Sequence, residues 1–362
     1  MRKVTKKILL INIGCAIFLG VFFYIINTES PRKKWIPSTM NFSNINILIY
    51  MKPTTPNKFS YLKEPVREII AGDRNIYFLE TSHIKDKDEI ILNPRQGCAV
   101  ESAARMNPTM KVYLFIFNTN RTLNYSNKTK NIVKQLMSYK NIAIRHISLE
   151  TYFENSPMNE WWNSTYGPNS SQWFTSHMSD VLRYLTLWKF GGIYLDLDVV
   201  IKKSLEHLTN FVSAEDYFSV AAGAIGFDSL DIGRRFANAC LYEIITNFRG
   251  DDWAYNGPGV ITRTLNKMCN TIFVWRMTTE RCDGFTVLSS SAFYPIYYSN
   301  WKQYFEIGNK QSTMKAIDNS LAIHVWNKFS HSTVVKVGSA VPYAEIAYQY
   351  CPRVYNNCGD TF

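Results

Sequence analysis

Two aspartates one residue apart, Asp196 and Asp198, are the side chains in this sequence best suited to chemistry. In an extended chain successive side chains point to opposite faces, so Asp196 and Asp198 would project the same way while Leu197 turns to the core. Like charges this close repel unless something positive lies between them. Hard divalent cations such as Mg²⁺ and Mn²⁺ take oxygen ligands, usually one or two carboxylates plus the phosphates of a bound substrate. The pair therefore points to a metal-nucleotide site. A bare D-x-D arises by chance, and aspartates also gather where strands run into turns. The surroundings add weight: Asp180 and Arg183 lie three apart in an otherwise apolar stretch, and Tyr194 stands two before Asp196.

The stretch 179–205, SDVLRYLTLWKFGGIYLDLDVVIKKSL, predicts how those side chains are held. Val181, Leu182, Leu185 and Trp188 recur at helical spacing. Gly191 and Gly192 close that helix, and the β-favouring Ile193-Tyr194-Leu195 follows. Upstream, strands are expected at 45–50, 76–79, 111–117 and 142–147, with helices at 98–106 and 131–139 between them. This alternation predicts an α/β fold with a mostly parallel sheet, in which ligands bind at the carboxyl ends of the strands. Residues 152–174, with Trp161, Trp162, Tyr166 and Trp173, read equally as a substrate-facing loop or a capping segment. The small residues of 220–227 (VAAGAIGF) would let a ligand or backbone come close. Helices are expected at 232–248 and 260–268. Between them Asn256-Gly257-Pro258-Gly259 is a turn opening onto a helix N-terminus, a weak anion-binding signal. His324 sits among apolar residues, where a lone histidine is usually structural. His83, His146, His177, His207 and His331 have weaker contexts still.

A content of 46% hydrophobic and 19% charged residues is that of a folded chain. Residues 8–26 are apolar apart from Asn12, long enough to cross a bilayer as a helix. Arg2, Lys3, Lys6 and Lys7 precede them, which by the positive-inside rule places everything downstream on the far side. A cleaved signal peptide is the rival reading, but the run is long and no small-x-small cleavage site follows. The expected plan is a cytoplasmic tail (1–7), a transmembrane signal-anchor (8–26), a stem (27–44) and a lumenal domain (45–362). Asn41, Asn120, Asn124, Asn127, Asn163 and Asn169 each open an N-glycosylation sequon, in keeping with a lumenal domain. So do the cysteines: beyond Cys15 there remain Cys98, Cys240, Cys269, Cys282, Cys351 and Cys358. Cys269 with Cys282 and Cys351 with Cys358 are near enough in sequence to pair, although spacing alone does not fix connectivity. The net charge of +11 is spread along the chain without a basic helix or an RNA-binding signature, so nucleic acid is not an expected partner.

The order DxxR (Asp180, Arg183), Gly191-Gly192, then Y-x-D-x-D (Tyr194, Asp196, Asp198) resembles the DxD-containing retaining glycosyltransferases. More narrowly, the chain is similar to the family of lactosylceramide 4-alpha-galactosyltransferase and alpha-1,4-N-acetylglucosaminyltransferase. That likeness is carried by Gly257-Pro258 with Thr262-Arg263, Ala292-Phe293-Tyr294-Pro295-Ile296, Trp301-Lys302 with Tyr304-Phe305-Glu306, His324-Val325-Trp326-Asn327-Lys328 and Tyr350-Cys351-Pro352. The resemblance implies a GT-A-type, Rossmann-like nucleotide-sugar-binding fold whose part from about residue 220 forms the acceptor side. It also implies a UDP-sugar donor, Mn²⁺ (or Mg²⁺) as cofactor, and transfer with retention of configuration. By the same likeness Asp198 ligates the metal, Asp196 contacts ribose and metal, Asp180 and Arg183 hold donor-sugar hydroxyls, Tyr194 lies near the nucleotide, and His324 falls where a C-terminal histidine reaches the metal. No catalytic base is implied. One departure stands out: vertebrate relatives carry Asn-Gly where this chain has Ala222-Gly223, which leaves UDP-galactose and UDP-N-acetylgalactosamine both open as donors. The expected protein is a single-pass type II Golgi membrane enzyme acting on a glycosphingolipid acceptor. The alternatives are an alpha-1,4-N-acetylglucosaminyltransferase acting on glycoprotein or mucin glycans, and an inactive lumenal carbohydrate-binding membrane protein.

Overall fold

The structure, a computed structural model, describes residues 74–82, 84, 89–118, 124–164 and 167–362. The expected tail, anchor, stem and strand at 45–50, together with Asn41, His83, Asn120 and Tyr166, lie outside the described residues. Among the described residues no helix is long and apolar enough to cross a membrane.

In chain order the strands are β1 (Ile76–Glu80), β2 (Glu89–Ile90), β3 (Val112–Asn118), β4 (Asn124–Tyr125), β5 (Ile142–Ser148), β6 (Gly192–Leu195), β7 (Val199–Ile201), β8 (Phe211–Ala214), β9 (Val220–Phe227), β10 (Thr286–Leu288) and β11 (Ala322–His324). Seven of them form one sheet in the order β10-β8-β9-β6-β1-β3-β5. β6, β1, β3 and β5 run parallel, as do β10 and β8, while β9 is antiparallel to both neighbours. The expected α/β fold with a mostly parallel sheet is therefore present. Both faces of the sheet are covered, which is why β1, β3 and β9 are buried along their whole length rather than alternating with exposed polar residues. Ile76, Phe78, Val112, Leu114 and Ile116 pack in one layer with the helix Pro94–Met106. Their neighbours Tyr77, Leu79, Tyr113, Phe115 and Phe117 pack in the other, with the helix Phe174–Phe190.

Several boundaries differ from the sequence-based expectation, each for a local reason. The helix Pro94–Met106 starts four residues earlier than expected, because Asn93 and Gln96 form a capping box and Pro94 fits the first turn. The helix Asn127–Leu136 is displaced from 131–139 toward its cap, Ser126, whose hydroxyl accepts from the Thr129 amide. In the aromatic segment at 152–174, Tyr152, Phe153 and Trp161 are buried in the second layer, as in a capping segment, and Phe153 stacks on Trp162 at 4.6 Å. The helix Phe174–Phe190 then ends where expected. Gly191, at φ 69°, is the turning point, and a side chain there would come within 2.5 Å of the Ser229 amide nitrogen.

Two disulfides join Cys98 to Cys351 and Cys269 to Cys282. The second was anticipated by spacing. Pairing of Cys351 with Cys358 does not occur: the helix Pro342–Tyr350 delivers Cys351 to the helix carrying Cys98, and the Cys358 thiol donates to the Tyr355 carbonyl instead. Buried Arg95 ties the same two regions together. Its guanidinium donates to the carbonyls of Ser330 and Thr333 and lies over the rings of Phe305 and Tyr343.

Candidate active site

The site is built at the carboxyl end of β6. The chain does not stay extended through Asp196-Leu197-Asp198, as expected, but turns, with the Val199 amide donating to the Asp196 carbonyl at 3.0 Å. The turn is what leads into β7, and β7 is what brings in the third group. β11 pairs antiparallel with β7 in the register His324↔Val199, so a histidine 126 residues away in sequence lands beside Asp198. His324 Nε2 lies 2.9 Å from Asp198 Oδ1 and 4.0 Å from Asp196 Oδ2. One ligand atom from each of Asp196, Asp198 and His324 falls within a common 4.8 Å.

The backbone after His324 completes the hold on Asp198. Trp326 adopts a left-handed conformation at φ 54°, ψ 55°, uncommon for a bulky residue and costing about 1–2 kcal/mol. Its indole is pinned by donation to the Ile296 carbonyl at 2.8 Å, and the next amide, Asn327, donates to Asp198 Oδ2 at 2.6 Å. Strain kept in this way beside reactive groups is a mark of functional sites. Burial works against charge on Asp198, yet His324 and the Asn327 amide together hold its carboxyl below the ordinary range. Burial likewise opposes charge on His324, but Asp198 and Asp196 raise its basicity above the usual value.

On the other side of Asp196 the helix Phe174–Phe190 presents Asp180 and Arg183. Arg183 reaches Asp180 Oδ1 at 2.8 Å and Asp196 Oδ1 at 3.2 Å, donates to the Ala222 carbonyl at 2.8 Å, and lies over the Tyr194 ring. The Tyr194 hydroxyl donates to Asp196 Oδ1 at 2.5 Å. One buried guanidinium thus serves two carboxylates. Burial leaves Asp180 the less compensated of the pair, and its carboxyl is pushed up to about 7 by desolvation, against the pull of Arg183 and with the push of Asp196. The turn at Gly257 lies against Asp180, and a side chain at 257 would run into its carboxylate. The carboxyl group beside that helix N-terminus is the chain's own Asp180.

All the residues singled out from sequence as site residues, Asp180, Arg183, Tyr194, Asp196, Asp198 and His324, converge here. The sequence-based reading did not single out Tyr294, and it met Gly223 only within the small-residue run 220–227. The Tyr294 hydroxyl is buried without a hydrogen-bond partner, and its ring stands edge-on to His324 with centroids 5.5 Å apart. A Cβ on Gly223 would lie 2.7 Å from Asp196 Oδ2 and 3.3 Å from the Tyr294 hydroxyl. Glycine at 223 is therefore what lets the Asp196 carboxylate and the Tyr294 hydroxyl come this close to the backbone. Tyr294 stood in a quoted motif, Ala292-Phe293-Tyr294-Pro295-Ile296, but only the fold shows which of those residues looks into the site. Ala222 packs in the second apolar layer and meets Arg183 through its carbonyl alone. His177 is structural as expected, held between the Ser171 hydroxyl and the Asp252 carbonyl.

Two carboxylates and an imidazole whose donor atoms already lie this close fit a divalent cation that accepts both oxygen and nitrogen. Like charge makes the same cluster costly without a counter-charge; Arg183 lies 3.2 Å from Asp196 Oδ1, and His324 lies 2.9 Å from Asp198 Oδ1.

Residues 93–218 match the family described as "Glycosyltransferase sugar-binding region containing DXD motif", and residues 229–358 match "Alpha 1,4-glycosyltransferase conserved region". Lactosylceramide 4-alpha-galactosyltransferase of Mus musculus is 31% identical over 290 residues, 79% of this chain and 76% of its own length. Alpha-1,4-N-acetylglucosaminyltransferase of Homo sapiens is 27% identical over 292 residues, 80% of this chain and 82% of its own. Among solved structures, the PaToxG glycosyltransferase aligns over 80% of this chain and 89% of its own at 15% identity, with a TM-score of 0.41. Its DXD turn and its likeness to the mouse enzyme over most of both chains place this protein in one group: the chain belongs to the alpha-1,4-glycosyltransferase family with a DXD sugar-binding region.

Proposed function

We propose that this protein transfers galactose or N-acetylgalactosamine from a UDP-sugar, with retention and in alpha-1,4 linkage, to the terminal sugar of a glycosphingolipid. The observation that carries this reading is the convergence of Asp196 and Asp198, from the turn between β6 and β7, with His324 of β11, far away in sequence. In this reading the domain is of GT-A type, and those three residues hold Mn²⁺, or Mg²⁺ less favourably because of the imidazole. The cation, when bound, supplies Lewis-acid neutralisation of the diphosphate. The chain's own groups do the rest. Arg183 and Asp180 receive the donor-sugar hydroxyls, Tyr194 fixes Asp196 by donating to Oδ1, and the lack of a side chain at Gly223 leaves Asp196 Oδ2 room beside the backbone there. Retention requires the acceptor hydroxyl to attack from the face that UDP leaves, and no side chain is assigned as base.

The same reading makes residues 8–26 a signal-anchor and the site lumenal in the Golgi. The side chains of Asn124, Asn127, Asn163 and Asn169 are exposed, as glycan-bearing asparagines must be. The lipid acceptor draws support from the mouse relative, a lactosylceramide 4-alpha-galactosyltransferase. The test is transfer by the full chain with Mn²⁺, using UDP-galactose, UDP-N-acetylgalactosamine and UDP-N-acetylglucosamine against a glycolipid and a glycoprotein acceptor, with the product linkage read by NMR. An alpha-1,4 product on the glycolipid from one of the first two donors is the expected result. Exclusive transfer of N-acetylglucosamine to the glycoprotein would favour the mucin-type alternative, and transfer to neither acceptor would favour a binding protein.

A further inference from the structure

We propose that the tip of the β8–β9 hairpin, with the adjoining segment 272–276, is a docking surface for the interfacial zone of a phospholipid bilayer. It would hold the mouth of the site against the membrane that carries the acceptor. The inference rests on the glycolipid reading of the acceptor, and its observations are separate from those of the site.

Tyr217, Phe218, Ile272 and Trp275 are 74%, 58%, 59% and 63% exposed. They form one surface. The Val274 amide donates to the Tyr217 carbonyl at 2.9 Å, and the rings run Phe218 to Phe273 at 5.7 Å and Phe273 to Trp275 at 6.1 Å. Single exposed apolar residues are ordinary, but a contiguous aromatic patch marks an interaction site. Its chemistry is amphipathic. The Arg276 guanidinium lies over Trp275 at 4.6 Å and Phe273 at 5.4 Å, and among the described residues no carboxylate lies within ion-pair distance of it. Aromatic rings beside an unpaired guanidinium suit the zone where acyl chains meet phosphates, which supplies Arg276 with its counter-charge. The acidic residues of the hairpin do not oppose this. Asp216 Oδ1 accepts from the Phe218 and Ser219 amides, and Glu215 is half-buried.

The position follows from strand register. β6 and β9 are antiparallel with Leu195 opposite Ala224, so β9 read backward from Ala224 to Val220 passes the carboxyl end of β6, where Asp196 begins its turn. The hairpin tip lies further in that direction, about 15–20 Å from Gly223 at the usual rise per residue.

The test is hydroxyl-radical footprinting of the full chain reconstituted into phosphatidylcholine vesicles and, in parallel, solubilised in detergent. Tyr348, 63% exposed on the helix Pro342–Tyr350, is the internal control. We expect oxidation of Tyr217, Phe218 and Trp275 to fall about fivefold relative to Tyr348 in vesicles, as burial in a bilayer interface requires. Equal labelling in vesicles overturns the proposal, and so does protection that appears without lipid and grows with protein concentration, which would mean that a second copy covers the patch. A triple variant, Tyr217→Ser, Phe218→Ser and Trp275→Ser, is expected to lose roughly tenfold in kcat/KM for glycolipid in a bilayer and to keep its rate on a soluble oligosaccharide, since about 1.4 kcal/mol of docking corresponds to that factor. Equal loss on both acceptors also overturns it. If the patch is protected by lipid and yet no glycolipid is glycosylated, the docking stands and the acceptor reading falls.

Discussion

Asp196 divides its two oxygens between different tasks. Oδ1 takes the Tyr194 hydroxyl and Arg183, which leaves Oδ2 facing His324 and the backbone at Gly223. Near the same glycine stands the Tyr294 hydroxyl, buried and unpaired, a state that costs the free protein about 1–3 kcal/mol. A hydroxyl kept at such a cost is accounted for if it donates to bound substrate. Replacing Tyr294 with Phe removes no hydrogen bond from the free protein, so its melting temperature should hold or rise. Loss of one substrate hydrogen bond should lower kcat/KM roughly tenfold. Melting curves and donor kinetics on the same preparation check both halves, and unchanged kinetics would assign Tyr294 to packing. At this scale the sequence was informative wherever residue type and spacing speak for themselves, as at Asp180, Arg183, Asp196 and Asp198. It was silent on Tyr294, one tyrosine in an aromatic-rich chain, because direction is a property of the fold.

At the scale of elements, the helices Asp231–Asn247 and Pro258–Met268 are fastened by one acid. Glu243 is 4% exposed, and its two oxygens take Arg263 Nε and Lys267 Nζ, each at 2.7 Å. Burial pushes its carboxyl up, but hydrogen bonds and charge from Lys267 and Arg263 outweigh that and hold it below the usual glutamate range. A carboxyl whose folded value is depressed adds stability above its unfolded value, and loses it as pH falls through the folded one. Glu243→Gln should therefore destabilise by about 1–3 kcal/mol at pH 7, with the difference from the parent shrinking below about pH 4. Urea melts at pH 7 and pH 3.5 check this; a constant difference would mean that shape, not charge, holds the helices. Elements were legible where pattern is strong: the buried strands β1, β3 and β5 and the helix stop at Gly191 lie within a residue or so of where sequence puts them. Caps such as Asn93 and Ser126 moved helix starts, and the β7–β11 pairing, which makes His324 a site residue, leaves no local trace.

For the whole molecule, the segment holding Trp326 and Asn327 must be fixed against a sheet laid down more than a hundred residues earlier in sequence. Arg95 and the Cys98–Cys351 disulfide, which spans 253 residues, both make that connection. Replacing Cys98 and Cys351 with serine should cost roughly 2–5 kcal/mol of stability, read as a lowered melting temperature. It should weaken donor turnover as well, because the loosened region positions His324. Unaltered melting would show that the sheet alone fixes the C-terminal segment.

The measurement that bears most directly on the central claim is UDP release by the full chain, with UDP-galactose and UDP-N-acetylgalactosamine, as Mn²⁺ is titrated from zero and then removed with EDTA. It is run on the parent and on Asp198→Ala. A site made by Asp196, Asp198 and His324 predicts saturable Mn²⁺ dependence, reversal by EDTA, and no turnover in Asp198→Ala at any Mn²⁺ concentration while the variant remains folded by circular dichroism. Turnover that survives EDTA, or a folded Asp198→Ala that releases UDP at the parent rate, would contradict it.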